Sequence, residues 1–259
     1  MRFCLITVLV LVLLPLGVAW GAEADSVAAP PAAMKSPDSW RFEIAPYFMA
    51  ASMAGDVGAK GLSQGVTVSF SNILDNLDFG AMGYASAGKG DWTLMLDVIY
   101  MKLKKTGTLG VQGSIPTGSE LEQTVVEGMI SYRVPTEHDV NVYAGVRYYD
   151  LGFSLAVDDS TVLSPDQSWA DPIIGLRARW DFGKKPTGWS AIFVGDVGGF
   201  GIGSEISYQI FPAAGYRFSR VVSAFLGYRY IYVDYQKSED GFLYDMGTGG
   251  PTAGVGFTF

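Results

Sequence analysis

The chain has 259 residues, a formal net charge of −8 and a sequence pI near 4.6. Charged residues make up only 17%, aromatics reach 14%, glycine numbers 33 and mean hydropathy is +0.22. An acidic chain without a basic stripe excludes nucleic acid as a partner, and a single histidine and a single cysteine exclude metal sites built from those ligands.

Residues 1–24 read as a secretory signal. Met1-Arg2 is a short positive start and Phe3 to Val18 is almost wholly apolar. Ala19-Trp20-Gly21 or Ala22-Glu23-Ala24 supplies the small-x-small cleavage site. The alternative is an uncleaved anchor; Pro15 and the small residues after it favour cleavage. Cys4 leaves with the signal, so the mature chain has no disulfide. Residues 25–39, rich in Ala, Pro and Ser, read as a flexible periplasmic lead-in.

Residues 40–259 read as one all-β domain of ten strands, with eight or twelve as alternatives. In order they are Trp40 to Met53, Asp78 to Ala87, Trp92 to Lys104, Leu121 to Val134, Val140 to Phe153, Trp169 to Phe182, Trp189 to Gly198, Ser204 to Phe218, Val222 to Tyr235, and Gly249 to Phe259. Tight turns follow the second, fourth, sixth and eighth strands. Long loops follow the first, third, fifth and ninth: Ala54 to Leu77, Lys105 to Glu120, Ser154 to Ser168 and Gln236 to Thr248. The short link Gly199 to Gly203 breaks that alternation. Within the first long loop, Val66 to Phe70 reads as a strand, and Ser71 to Leu77 as a short helix capped by Ser71.

The strands alternate with period two. Leu94, Leu96 and Val98 share one face and Asp97 the other; Val142, Ala144 and Val146 are opposed by Arg147; Ile174 and Leu176 are opposed by Arg177. The charged face carries Asp97, Glu127, Arg147, Asp171, Arg177, Arg179, Asp196 and Arg229, expected to pair inside a narrow lumen. The alternative is the wall of a narrow water-filled pore. A soluble barrel shows the same alternation reversed, so the aromatic residues carry more weight. Trp40, Trp92, Trp180 and Trp189 fall near the short-turn ends, and Tyr228, Tyr230 and Tyr232 nearer the long-loop ends. Two such girdles fit the two headgroup layers of a bilayer. A membrane strand needs only about 9–11 residues with alternate ones apolar.

The last residues, GGPTAGVGFTF, place Ala253, Val255, Phe257 and Phe259 in one apolar row. This ending resembles that of Gram-negative outer-membrane barrels, where a final Phe after alternating apolar residues is read by the barrel-assembly machinery. Residues 40–259 as a whole resemble the small barrels of that class, which includes the OmpA membrane domain, OmpW and porin-like proteins. The resemblance implies a transmembrane up-and-down antiparallel barrel, outer-membrane lipid and lipopolysaccharide as surroundings, and Val255, Phe257 and Phe259 as the assembly signal. It names no subfamily, ligand or oligomeric state.

No catalytic constellation is legible. The lone His138 falls in a periplasmic turn, so a Ser/His/Asp triad has no base. The glycine run Gly195 to Gly203 lacks the Lys-Ser/Thr ending of a phosphate loop. Asp158-Asp159 and Glu239-Asp240 are acidic loop pairs, and Lys102, Lys104 and Lys105 sit where lipopolysaccharide phosphates would lie. The expected function is a structural or narrow-pore barrel without enzyme activity or cofactor. The alternatives are a protein that binds through its surface loops and, less favoured, a lipid-modifying enzyme that works without histidine.

Overall fold

The computed structural model describes residues 39–59, 62–109, 115–157, 160–163, 166–183, 187–237 and 241–259. The expected signal, most of the lead-in, and the pairs Asp158-Asp159 and Glu239-Asp240 lie outside the described residues. The elements in order are β1 (Arg41–Met49), β2 (Ser52–Ala59), β3 (Leu62–Val68), α1 (Phe70–Asp75), β4 (Leu77–Lys89), β5 (Trp92–Leu109), β6 (Ile115–Val134), β7 (Asp139–Val157), β8 (Ser160–Leu163), β9 (Asp166–Asp181), β10 (Gly188–Gly199), β11 (Ile206–Arg217), β12 (Val222–Lys237) and β13 (Phe242–Thr258).

Ten of these strands close a barrel in the order β1-β4-β5-β6-β7-β9-β10-β11-β12-β13, and β13 returns to β1. Every neighbouring pair is antiparallel. Closure runs from Glu43↔Thr258 to Met49↔Thr252 and is finished by Phe42 and Phe259, which exchange backbone hydrogen bonds. The hairpin β2–β3 adds to β13 above β1, and β8 adds to β7. Closure satisfies the backbone groups that an open edge leaves bare, which is what a lipid solvent demands.

The faces are inverted relative to a soluble protein. Arg147 and Asp171 are 0% exposed, whereas Ile174 is 57% and Leu226 63% exposed. Buried arginine beside exposed leucine is the informative exception to ordinary burial, and it assigns the apolar rows to the outer wall.

Three expectations need correction. The sequence reads Lys105 to Glu120, Ser154 to Ser168 and Gln236 to Thr248 as loops, but much of each is strand among the described residues; β5, β6 and β7 reach 18, 20 and 19 residues. A transmembrane strand takes about 9–11 residues. Beyond that length both faces are wet, so the apolar alternation fades while the hydrogen-bonded ladder continues. The expected first strand, Trp40 to Met53, breaks at Ala50-Ala51 into β1 and β2. The short helix starts at Phe70, and its N-cap is Ser69, whose Oγ accepts from Asn72 N, not Ser71.

The short link after β10 has a local cause. β10 and β11 have only 12 residues each. The turn between them uses three successive left-handed residues, Gly199, Phe200 and Gly201, at φ 86°, 53° and 72°. The rim is therefore low at β10–β11.

Candidate functional site in the barrel interior

The inward side chains form three layers. At the short-turn end is a vestibule of about 340 Å³, bordered by Arg41, Arg133, Arg177, Arg179, Arg217 and Asp181 among others. Arg177 donates to Tyr84 Oη at 2.7 Å and its ring-facing guanidinium lies 5.3 Å from the Tyr84 centroid. Arg179 pairs with Asp181 at 2.9 Å, and Arg133 with Asp139 at 3.2 Å. A second cavity of about 120 Å³, lined by Tyr84, Met95, Arg177 and Phe225, leads up from there to the waist.

The waist is a polar network of interlocked ion pairs, in which Arg147 Nη1 is buried without a hydrogen-bond partner. Arg147 Nε donates to Glu127 Oε1 at 2.8 Å, and its Nη2 to both oxygens of Asp196 at 2.8 and 2.9 Å. Arg229 donates from Nε to Gln209 Oε1 at 2.6 Å, from Nη1 to Asp97 Oδ1 at 3.0 Å, and from Nη2 to Glu127 Oε1 at 3.1 Å. Glu127 therefore bridges the two guanidinium groups. Tyr143 Oη and Gln209 Nε2 both donate to Asp196 Oδ2, at 2.9 and 3.0 Å. Side chains from β1, β5, β6, β7, β10, β11 and β12 meet here. Buried charge is tolerated where each ion is paired and hydrogen-bonded, and the three donating nitrogens of Arg229 meet that condition. Backbone makes room for the network at Gly175, where a Cβ would lie 2.6 Å from Tyr143 Cζ.

Above the waist the interior is apolar and packed. Trp169 lies stacked between Tyr149, at a centroid distance of 4.8 Å, and Tyr235, at 4.1 Å, with Tyr244 tilted against it at 5.8 Å. Met49, Met53, Met101, Ile231 and Met246 belong to the same buried cluster, and α1 contributes Ile73.

Of the residues expected in the lumen, Asp97, Glu127, Arg147, Asp196 and Arg229 meet in one network. Arg177 and Arg179 face inward but stand in the vestibule, apart from it. Asp171 pairs with no arginine among the described contacts; its Oδ1 and Oδ2 accept from the backbone N and Oγ of Ser204, at 2.7 and 2.8 Å, clamping the low β10–β11 turn to β9. The expectation of an arginine partner fails because that turn folds back to reach Asp171 first. Of the expected girdle, Trp40, Trp92, Trp189 and Tyr228 are more than half exposed. Trp180, Tyr230 and Tyr232 are half-buried, and Tyr230 lies over Gly247 and Gly249. In the terminal row Val255 and Phe259 are exposed and Phe257 half-buried.

On the outer wall, Lys102 is paired with Glu120 and Glu122, and Lys104 with Asp78 at 2.9 Å and Glu120 at 3.7 Å. His138 lies exposed in a short turn, 6.5 Å from Trp180. Among the described residues no group of three or more His, Cys, Asp or Glu is placed to hold a metal ion.

The Trp169 stack was not read from the sequence. A signal was present: Trp169 is in phase with Asp171, Tyr149 with Arg147, and Tyr235 with Arg229, so each shares the inward face of its strand.

No family model and no curated protein matches the chain. Among solved structures, it is similar to the translocator domain of the autotransporter NalP from Neisseria meningitidis, at 14% identity and TM-score 0.46 over 85% of this chain and 89% of that one. It is similar to Ail, the attachment invasion locus protein of Yersinia pestis, at 11% identity and TM-score 0.39 over 86% and 99%. Neisserial surface protein A matches at 15% identity and TM-score 0.34 over 86% and 100%. The architecture is that of a small closed ten-strand antiparallel β-barrel with exposed apolar rows outside and ion pairs within, and no subfamily is singled out.

Proposed function

We propose that the protein is an integral, non-enzymatic barrel of the Gram-negative outer membrane, exported through a cleaved signal, whose lumen is sealed at rest. The observation that carries this reading is the waist network, in which Arg147 and Arg229 tie carboxylates from opposite walls together. A narrow barrel is the size that side chains can fill. Short turns face the periplasm in this reading, which makes the arginine-lined vestibule a blind periplasmic cup. The partners that follow are outer-membrane lipid, lipopolysaccharide, and the assembly machinery acting on Val255, Phe257 and Phe259. Planar-bilayer recording of the purified barrel tests the seal: little or no steady conductance is expected, and a large ohmic conductance would overturn it. Recovery in the soluble periplasmic fraction would overturn the membrane reading.

A second reading is favoured by one specific observation. β5, β6 and β7 run well past the length needed to cross a membrane, so hydrogen-bonded sheet extends above the outer surface. Such a wall suits binding of an external ligand. Removing residues 106–118 tests it: the barrel should still assemble, and any surface binding should be lost.

A further inference from the structure

The β1–β4 ladder ends early. Its last pair is Pro46↔Gly83. Above that pair, the described register places Tyr47, Phe48 and Met49 on β13, and Gly80 to Met82 on β5, with no rungs between β1 and β4. Pro46 has no N–H to offer and marks the point where the ladder stops. An uncovered strand edge does not persist in hydrocarbon, so something must lie across the seam. α1 lies there. Phe70 meets the outward Phe48 edge-on at 6.1 Å, Leu74 is exposed, and Ile73 enters the interior cluster.

Beneath α1 is a cavity of about 70 Å³ lined by Phe48, Met49, Ile73, Leu74, Met82 and Met101, with little but apolar surface. Phe48 points out of the barrel and Met49 into it. The cavity is bordered both by the outward-facing Phe48 and Leu74 and by Met49, Ile73 and Met101 of the interior cluster, so it lies within the wall at the seam. It adjoins a smaller cavity within the apolar upper interior, with which it shares Met49, Ala51, Met82 and Met101. Apolar cavities of this kind stay dry and accept apolar guests.

We propose that this seam is a binding site for the acyl chain of a neighbouring membrane lipid, entering sideways from the outer leaflet. The proposal rests on the membrane reading above. The location selects the occupant: Phe42, Ile44 and Phe48 on one side and Phe79 on the other form the exposed apolar wall around the seam, so in a bilayer lipid chains lie against its mouth. Depth agrees, because Phe79 packs on Tyr100, whose hydroxyl donates to Glu122 at 2.8 Å at the start of the charged outer band. α1 serves as a movable cover. Six residues make a helix too short to hold itself, and its described hydrogen-bonded ties at the ends are Phe70 N to Ser52 Oγ at 3.1 Å and Lys104 N to Asn76 O at 2.8 Å.

The test uses the full barrel in nanodiscs containing a phospholipid with a diazirine on its acyl chain, followed by mass-spectrometric mapping of the photoadducts. Adducts are expected on the outward Leu96 and Ile174, and also on the inward Met49, Met82 and Met101. The inward Met95 and Met129, behind unbroken ladder, should remain unlabelled. Gly80 lines the seam, and a Cβ there would have its nearest neighbours at 3.6–3.9 Å, so Gly80→Phe fills the space without displacing backbone. It should abolish the inward adducts and keep the outward ones; Gly80→Leu serves equally if the larger ring prevents assembly. Outward labelling without inward labelling in the wild type overturns the seam and leaves the membrane reading standing. Absence of both overturns the membrane reading itself. Inward labelling by a free photoreactive fatty acid, but not by the phospholipid, overturns the lipid as the occupant.

Discussion

Arg229 and Tyr47 stand 182 positions apart in the chain, on strands that flank β13, and Arg229 Nη1 donates to Tyr47 Oη at 2.6 Å inside the barrel. Tyr47 Oη in turn donates to Asp97 Oδ1 at 2.8 Å. The same guanidinium reaches Asp97 and Glu127 directly. Arg229→Ala should therefore leave the buried Asp97 carboxylate without a cation and Glu127 with Arg147 alone, and destabilise the barrel by roughly 3–5 kcal/mol. Urea titration of the lipid-embedded barrel checks this. A cost below about 1 kcal/mol, the level of an exposed ion pair, would mean that water reaches the waist.

Gly175 sits under the ring of Tyr143, and a Cβ there would also lie 2.5 Å from Gly195 O. Gly175→Ala should push Tyr143 off Asp196 and cost about 1–3 kcal/mol by overpacking. Gly128 faces outward with nothing within 4 Å of an added Cβ, and Gly128→Ala should stay within about 0.5 kcal/mol of wild type. The two unfolding midpoints, measured side by side, separate crowding from a general loss of glycine.

Asp171 holds the low β10–β11 turn through both hydrogen bonds to Ser204. Asp171→Ala leaves the fully buried Ser204 without those acceptors, at a cost of about 1–3 kcal/mol. The loss should be local. Hydrogen exchange should rise over residues 199–206 first, and exchange at the β6–β7 ladder should change little. Uniform loss of protection across the barrel would mean that the clamp is part of the global fold.

The inward face of the lower barrel was legible because charge marks it: Asp97, Arg147 and Arg229 each interrupt an apolar row at period two. Which charges meet was not legible. Arg177 and Arg147 share the inward parity of their strands, but partner choice depends on height along tilted strands, and a sequence gives parity without height. Asp171 shows the same limit, since its partner comes from a turn whose left-handed residues fold it back onto β9. Trp169 was missed for the opposite reason. An apolar row marks the lipid face only where the opposite face is polar, and above the waist apolar residues occupy both faces, so the contrast that reveals a strand's orientation disappears.

The sealed lumen proposed above would rest on two layers of different chemistry, and they predict a non-additive response. The waist is held by Arg147 and Arg229, and the level above by Trp169 stacked on Tyr149 and Tyr235. Arg229→Ala loosens the waist but leaves the aromatic stack, so its conductance should rise only slightly above wild type. Trp169→Ala removes the central ring and costs about 3–5 kcal/mol of packing, yet the ion network still closes the passage below it. Residues in series along one passage couple, because either seal alone stops flow. The double variant Arg229→Ala/Trp169→Ala should conduct more than the two single variants together. Planar-bilayer recordings of all four proteins decide. If Arg229→Ala alone conducts as well as the double variant, the aromatic stack is packing and not a seal. If the wild type already conducts strongly and no variant changes it, ions pass by a route that neither layer closes.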